Sequence, residues 1–252
     1  MVKHWVWRAG GILVVAWAAL AIGAETADVP VSKYVPIADL RQQLETYFAE
    51  LEKDLASEAE YDAEHQGRVE KGANTLVVLA QALANHDGAG DEKRSAAGMM
   101  RGALAVAAGS ADYTKAKAAW DQLQTARKTP GDAPAAPPGW TAEADLAQLM
   151  KQVPVVNNAL RAGVTSRRFE RSVEKTAGLA ATLAAIAQAS SVDFDYCSGD
   201  EDQQEWRKIC LEMRDACAAV NEAVRQKNQD AATKGLEQIV ATCDACHHRF
   251  RD

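Results

Sequence analysis

Residues 232–247 have the sequence ATKGLEQIVATCDACH, in which small or apolar residues recur at alternating intervals of four and three. This periodicity predicts a helix with one face packed against other helices. The residues on that face are Ala232, Leu236, Ile239, Cys243 and Cys246. Because the two cysteines continue the apolar series, a group bound to them is expected to lie inside a helical bundle.

Cys243, Cys246 and His247 form a Cys-x-x-Cys-His sequence, the signature of covalent c-type haem attachment. Positions three apart share one face of a helix, so both thiols can add to the two vinyl groups of one porphyrin. The imidazole of His247 can then bind the iron as an axial ligand. We therefore predict one covalent haem c. The alternatives are a redox-active disulfide or part of a zinc site, although no second Cys/His pair has finger-like spacing.

The first 24 residues have the features of a secretory signal peptide. Lys3 and Arg8 precede an uncharged apolar run over residues 10–22. The segment 21–24 then ends in small residues, which offer a cleavage site. The run is shorter than the roughly 20 residues of a membrane-spanning helix, and an uncleaved anchor is the alternative. We expect a periplasmic protein that is not attached to a membrane after cleavage.

The charge of the chain bears on its partners. Removal of Lys3 and Arg8 with the signal changes the formal net charge from −7 to −9. An acidic chain argues against binding to nucleic acids or anionic membranes. It favours a redox partner protein with a basic docking face.

A proline-rich segment at 130–140 predicts a linker between two domains, 34–129 and 141–252. Four prolines between positions 130 and 138 are incompatible with a helix, and each flanking segment has about the size of a normal domain. The first domain contains no cysteine, so we expect it to be haemless. Its isolated histidines, His65 and His86, are expected to face solvent.

Each domain contains four apolar stripes with helical spacing. Stripes of this kind are typical of antiparallel helices that cross at about 20°. The predicted fold is therefore all-α, with two tandem four-helix up-down-up-down bundles. The stripes begin at Ile37, Val69, Met100, Tyr113, Leu146, Val173, Trp206 and Ala232.

The C-terminal sequence CDACHHRFR, residues 243–251, resembles that of the cytochrome c′ family. Phe250 stands at the family's aromatic position and Arg251 at its basic one. The resemblance implies that Arg251 lies close to the proximal histidine, His247, and tunes it electrostatically. The resemblance covers about residues 141–252, which contain the motif. Over residues 34–129 it rests on the helical pattern alone. Bundles of the family commonly dimerise through their first two helices. The resemblance therefore suggests an intramolecular pseudo-dimer, although a spacer or a partner-docking module is equally compatible.

The distal face of the haem distinguishes branches of this family. Leu149-Met150-Lys151 resembles the sequence found in methionine-ligated, low-spin relatives, which implies Met150 as a distal ligand. Leu146 stands where the family usually has a basic residue. Pro154 is expected to open the helix beside Met150. The alternatives are that Met150 fills a gap in the core or that Met213 is the ligand.

Three further cysteines are expected to be structural. Cys210 and Cys217 are seven residues apart on one helix, about 10.5 Å of rise, which is too far for a disulfide. In an oxidising compartment we expect a Cys197–Cys210 bridge. A Cys197–Cys217 bridge and free, buried thiols are the alternatives.

Two classes of function follow from these predictions. The first is an electron carrier, in which iron changes oxidation state without substrate turnover, so the protein is not an enzyme. The alternative is a five-coordinate protein that binds nitric oxide or carbon monoxide. No distal His–Arg pair of the kind needed for peroxidatic catalysis is recognised on the helix that contains Met150.

Overall fold

The computed structural model describes residues 29–128 and 139–251, and this part of the chain is all-helical, as predicted. Each predicted apolar stripe falls within one α-helix, except that Leu55 of the first stripe caps the end of its helix. None of the described helices is both long and apolar enough to cross a membrane. The signal peptide predicted at 1–24 and residues 130–138 of the predicted linker lie outside the described residues. The α-helices are α1 (Ile37–Asp54), α2 (Ala63–Asn85), α3 (Lys93–Gly109), α4 (Tyr113–Lys128), α5 (Leu146–Val164), α6 (Val173–Ser190), α7 (Asp200–Arg225) and α8 (Gln229–Phe250).

Polar residues fix the beginnings of three of these helices. Asp62 accepts hydrogen bonds from the first backbone N–H groups of α2, and Asp145 does the same for α5. The side chain of Asn228 accepts from the backbone N–H of Ala231 at the beginning of α8. These side chains satisfy N–H groups that have no partner inside the helix.

Consecutive helices pack against each other within each half of the chain, and α5 also contacts α8. Between the halves, α1 contacts α6, and α2 contacts both α5 and α6. As a result, α2 and α6 are covered on more than one side. Residues 72–83 of α2 and 180–190 of α6 are buried without interruption.

Gly178 of α6 lies close to α1. A Cβ atom at this position would lie 2.4 Å from the side-chain nitrogen of Gln43 on α1, so a larger residue would require the Gln43 side chain to move. One turn later, the hydroxyl of Thr182 donates to the side-chain oxygen of Gln43 at 2.9 Å. Glycine and this hydrogen bond together hold α1 against α6.

A second stripe of α1 is polar and buried. Asp39, Gln43 and Tyr47 follow one another at four-residue intervals and are 0%, 3% and 4% exposed. Asp39 accepts hydrogen bonds from the Asn221 side chain at 2.8 Å and from Arg225 at 3.2 Å, both on α7. These residues lie outside the apolar stripe predicted for α1, and they are buried because the second half covers them.

The expectation that His86 faces solvent is wrong. Its side chain is 1% exposed at the end of α2. The backbone N–H of Gly88 donates to Nδ1 at 2.8 Å, and Nε2 lies 2.9 Å from the carbonyl oxygen of Val35. Because Nδ1 accepts, Nε2 donates, and both nitrogens of a neutral imidazole are satisfied without water. His65 is half-buried and contacts Asp62 at 2.7 Å.

We predict that Asp39→Ala lowers the free energy of unfolding by about 2–3 kcal/mol, because it removes an acceptor from the buried Asn221 amide and the carboxylate that pairs with Arg225. The matched control is Glu92→Ala, which removes the carboxylate paired with Arg41. Both side chains of that pair are about half exposed, 51% and 47%, so the loss should be under about 1 kcal/mol. Denaturant unfolding measures both values, and equal losses would contradict a structural role for the buried pair.

Candidate functional site

The last two turns of α8 contain the Cys-x-x-Cys-His sequence. Ala232, Leu236 and Ile239 are buried in the core, at 0%, 6% and 0% exposure. Farther along the helix, Cys243 and Cys246 are half-buried and His247 is exposed. The helix therefore passes from the core to the surface, and the two thiols lie at that boundary.

The end of α8 is fixed to α7 by aromatic and ionic contacts. The ring of Phe250 packs edge-on against Trp206, with 5.1 Å between centroids. Trp206 in turn donates through Nε1 to the carbonyl oxygen of Ser190 at 2.7 Å. Arg249 donates to Asp202, near the beginning of α7, at 2.8 Å. These contacts hold the thiols of α8 in place relative to α6 and α7.

A cavity of about 300 Å³ lies beside the two thiols and is bounded by α5, α6, α7 and α8. Its walls are mainly apolar, and Cys243, Cys246 and His247 line it from α8. Its size is at the lower end of the range for ligand-binding pockets. The three residues of the motif thus border a single cavity inside the second half of the chain.

Burial makes the thiols of this region weak acids. Burial and, to a smaller extent, the neighbouring Cys243 and Cys197 together raise the pKa of Cys246 from an ordinary 9.0 to about 11. Burial also raises the pKa of Cys243, with a smaller contribution from the carboxylate of Asp244. In the folded chain both thiols are therefore protonated at neutral pH.

Two methionines reach the same cavity. Met150 on α5 and Met213 on α7 both line it, and both are half-buried. Met150 also packs against a small cluster around Trp206 and Cys210, which Cys246 contacts too. Met213 and Cys243 both pack against the main core cluster, as Met150 does, so each thioether shares a side-chain cluster with a motif cysteine.

The expectation that Pro154 opens α5 is wrong. The helix runs without interruption from Leu146 to Val164, with Pro154 inside it and in the wall of the cavity. Proline has no N–H group, so the carbonyl oxygen of Met150 loses its intrahelical partner. The effect of Pro154 is therefore the loss of one hydrogen bond within α5. Packing of α5 against α6 and α8 preserves the helix.

The cavity wall contains polar atoms that have no hydrogen-bond partner. Among the described residues, two buried side-chain polar atoms lack one, Asn157 Oδ1 and Ser190 Oγ. Both residues line this cavity. Buried polar atoms are nearly always hydrogen-bonded in folded proteins. Their presence here indicates a cavity suited to a ligand that has polar groups as well as an apolar body.

Comparison of the chain with protein-family models, with curated proteins and with solved structures found no match. The chemistry of the site is therefore argued from its own residues.

Arg251 occupies a different position from the other predicted site residues. It caps the end of α8, and its backbone N–H donates to the carbonyl oxygen of His247 at 3.2 Å. Its side chain is exposed and is not part of the cavity wall. The structure thus brings together Cys243, Cys246, His247 and Met150, and leaves Arg251 at the surface one turn beyond His247.

The expected Cys197–Cys210 disulfide is not formed, since all five cysteines of the described residues are free. Cys210 is 7% exposed and packs with Leu146 and Trp206, and Cys197 lies against the same cluster. Burial raises the pKa of both thiols. The two cysteines therefore fill apolar space as small hydrophobic side chains.

The sequence analysis missed the polar residues of the cavity wall. Asn157 and Arg161 follow Met150 and Pro154 along α5 at intervals of four, three and four, so all four share one face. This spacing is visible in the sequence. The four residues lie beside the apolar stripe that forms the core face of α5, however, so they were not recognised as part of a site. Ser190 on α6 has no comparable signal, because almost every residue around it is buried.

The residues present fit a covalently attached haem. A porphyrin requires an apolar cavity for its macrocycle and polar partners for its edge, and this cavity has apolar walls and unpaired polar atoms. Cys243 and Cys246 would hold it, and His247 could bind its iron. Among the described residues, no three His, Cys, Asp or Glu side chains converge in an arrangement suited to a metal ion.

We predict that folding slows the alkylation of Cys246. In folded protein whose thiols are free, the rate at neutral pH should be about 100-fold lower than in the unfolded chain. The thiolate is the reactive form, and a pKa raised from 9.0 to about 11 reduces its population. The rate should rise with pH until about 11. Peptide-resolved mass spectrometry of alkylation over a pH series measures it, with the chain in urea as the control. A rate that saturates below pH 9 in the folded chain would contradict the prediction.

Proposed function

We propose that the chain is a c-type cytochrome that carries one covalent haem and transfers electrons without substrate turnover. The observation that carries this proposal is the position of Cys243, Cys246 and His247 on one wall of a mainly apolar cavity. A haem held there supplies reversible one-electron chemistry at its iron. The residues described below bind and orient it and limit the access of water.

Each motif residue has a distinct role in this proposal. The thiols of Cys243 and Cys246 would hold the haem through thioethers, each formed by addition across one vinyl double bond with sulfur on one carbon and the proton on the other. The imidazole of His247 binds the iron from α8. Arg251 lies one helical turn beyond His247, from where its positive charge acts on the imidazole, as the resemblance to the cytochrome c′ family implies.

The acidity of the thiols bears on the order of folding and attachment. Burial raises the pKa of Cys246 to about 11, whereas thiolate is the reactive form of cysteine. Attachment is therefore faster on a chain whose α8 has not yet packed. Packing of Phe250 against Trp206 would then close the end of the cavity around the bound group.

Met150 is the distal ligand in this proposal. Support comes from its place in the cavity wall and from its contact with the side-chain cluster that also contains Cys246. A thioether stabilises ferrous iron and raises the reduction potential. This assignment favours electron transfer over ligand binding, because a methionine on the iron occupies the position that a gas would take.

We also propose the finer architecture predicted from the sequence, two tandem up-down-up-down bundles related to cytochrome c′. The packing of consecutive helices within each half supports it. The contacts of α1 with α6 and of α2 with α5 and α6 support a pseudo-dimer built within one polypeptide. The first half contains no cysteine, and in this proposal it acts as a permanent haemless partner of the second.

The proposed location is the periplasm, on the basis of the signal-like sequence at 1–24. The proposed partner is a redox protein with a basic docking face, since the chain is acidic. The motif cysteines lie at the surface end of α8, so a partner that docks there would approach the bound group closely.

A second candidate is a cytochrome c′-like protein that binds nitric oxide or carbon monoxide at five-coordinate iron. The unpaired polar atoms of Asn157 and Ser190 favour it, because they could form hydrogen bonds to a small ligand in the cavity. In this case Met150 would serve as packing in the cavity wall.

We predict that the mature protein has the mass of the polypeptide plus one haem under denaturing conditions. The Cys243→Ala/Cys246→Ala variant should lose that mass, because no other thiol continues the motif. The Cys197→Ala/Cys210→Ala variant is the matched control and should keep the haem. Wild-type protein without haem, purified from a host competent for cytochrome c maturation, would refute the proposal.

We predict that Met150→Ala converts a low-spin haem to a high-spin one, lowers its reduction potential and allows carbon monoxide to bind. The matched control is Met213→Ala, which removes the other thioether in the cavity wall and should leave the spin state unchanged. Optical absorption spectra with and without carbon monoxide measure these effects.

The outcomes of this experiment separate the two candidates. A wild-type protein that is already high-spin and binds carbon monoxide would refute methionine ligation and favour the gas-binding function. If the spin state changed only in Met213→Ala, the iron ligand would be Met213 on α7.

A further inference from the structure

Arg161 is the only lysine or arginine among the described residues that line the cavity. Its side chain is exposed at the end of α5, so it lies at the rim. No carboxylate of the described part of the chain lies within ion-pairing distance of its guanidinium. By contrast, Arg225 and Arg249 on α7 and α8 are each paired with an aspartate. The cavity wall therefore contributes one arginine, and residues 29–128 and 139–251 supply no anionic partner for it.

Arg161 lies toward the end of the cavity away from Cys246. Met150 and Cys246 pack on the same side-chain cluster. Arg161 follows Met150 by eleven residues on the same face of α5, which is roughly 16 Å along the helix axis. The thiols and the cation are thus separated along the length of the cavity.

Asn157 lies one helical turn before Arg161 and shares its face. Its side-chain oxygen is buried and has no hydrogen-bond donor. A guanidinium has five N–H donors, so Arg161 can donate to this oxygen and to an anion at the same time. Asn157 and Arg161 together form a polar end in a cavity that is otherwise mainly apolar.

This arrangement matches the polarity of a haem. The two vinyl groups lie toward one side of the macrocycle and the two carboxylates lie on the other. If the vinyl groups are joined to Cys243 and Cys246, the carboxylates point away from those thiols. We infer that Arg161 binds a haem carboxylate and is oriented by Asn157, an assignment that rests on the haem attachment proposed above.

The inference predicts an electrostatic effect on the iron. A guanidinium near the haem favours the ferrous state, because reduction removes one positive charge from the site. Arg161→Gln should therefore lower the reduction potential of the holoprotein. Arg161→Lys keeps the charge and should retain most of the wild-type potential. Arg168→Gln is the matched control, because Arg168 is exposed and lines a different depression beyond the end of α5.

Spectroelectrochemical titration of the four holoproteins at one ionic strength tests this prediction. The expected order places Arg161→Gln below the other three proteins in potential. Equal potentials for Arg161→Gln and Arg168→Gln would overturn the inference while leaving haem attachment intact. A wild-type chain without covalent haem, shown by its mass, would overturn both proposals.

A second measurement separates a carboxylate contact from a general effect on folding. The Cys243→Ala/Cys246→Ala chain keeps His247 and can be titrated with iron protoporphyrin IX or with its dimethyl ester. Arg161→Gln in that background should weaken binding of the free acid by about tenfold, the equivalent of one charge-assisted hydrogen bond. Binding of the ester should be unchanged. An equal loss for acid and ester would show that Arg161 acts on the fold and would overturn the assignment.

Discussion

The contact between α1 and α6 constrains the arrangement of the whole molecule. The helices approach so closely at Gly178 that a Cβ atom there would overlap the side chain of Gln43. Such an approach requires the polar groups of α1 to find partners in the second half, because water is excluded. Gln43 accepts from Thr182 of α6, and Tyr47 accepts from Gln152 of α5. One helix of the first half is thereby bonded to several helices of the second.

This constraint also determines one wall of the cavity. Because α1 and α2 cover part of α6, a different part of α6 faces the space between α5, α7 and α8. Ser190 lies in that wall, and its backbone carbonyl fixes the indole of Trp206. Trp206 then supports Phe250 at the end of α8. The first half of the chain therefore contributes to the site indirectly, through the helix that it holds in place.

The apolar environment of the cavity favours ligand binding but disfavours some of the groups in the cavity wall. Its apolar walls suit a large planar ligand, but the same burial suppresses ionisation of Cys243 and Cys246. It also leaves Asn157 Oδ1 and Ser190 Oγ without hydrogen-bond partners. Unpaired polar atoms reduce stability in an isolated chain, and sites with such features are typically functional. This loss of stability would be offset by a bound group that forms hydrogen bonds to these atoms and converts the thiols to thioethers.

The local properties of the chain were predictable from the sequence. Apolar spacing predicted the eight α-helices found in residues 29–128 and 139–251, because helix periodicity is a property of neighbouring residues. The Cys-x-x-Cys-His motif likewise depends on residues within one turn of a helix. The cavity was predicted in outline, since Cys243 and Cys246 continue the apolar face of α8. Met150, which the sequence suggests as an iron ligand, lies in the cavity wall, and the expected opening at Pro154 did not occur.

Only the tertiary structure decided which polar residues are buried and which side chains share the cavity. Asp39 is buried because Asn221, 182 residues later in the chain, donates to it, and His86 is buried because a distant backbone carbonyl accepts its proton. Asn157, Arg161 and Ser190 reach one cavity from two helices with no common motif. Cys210 packs as a free thiol in a cluster that its own helix does not define. Hydrogen-bond partners and packing neighbours are contributed by remote segments, and periodicity carries no information about them.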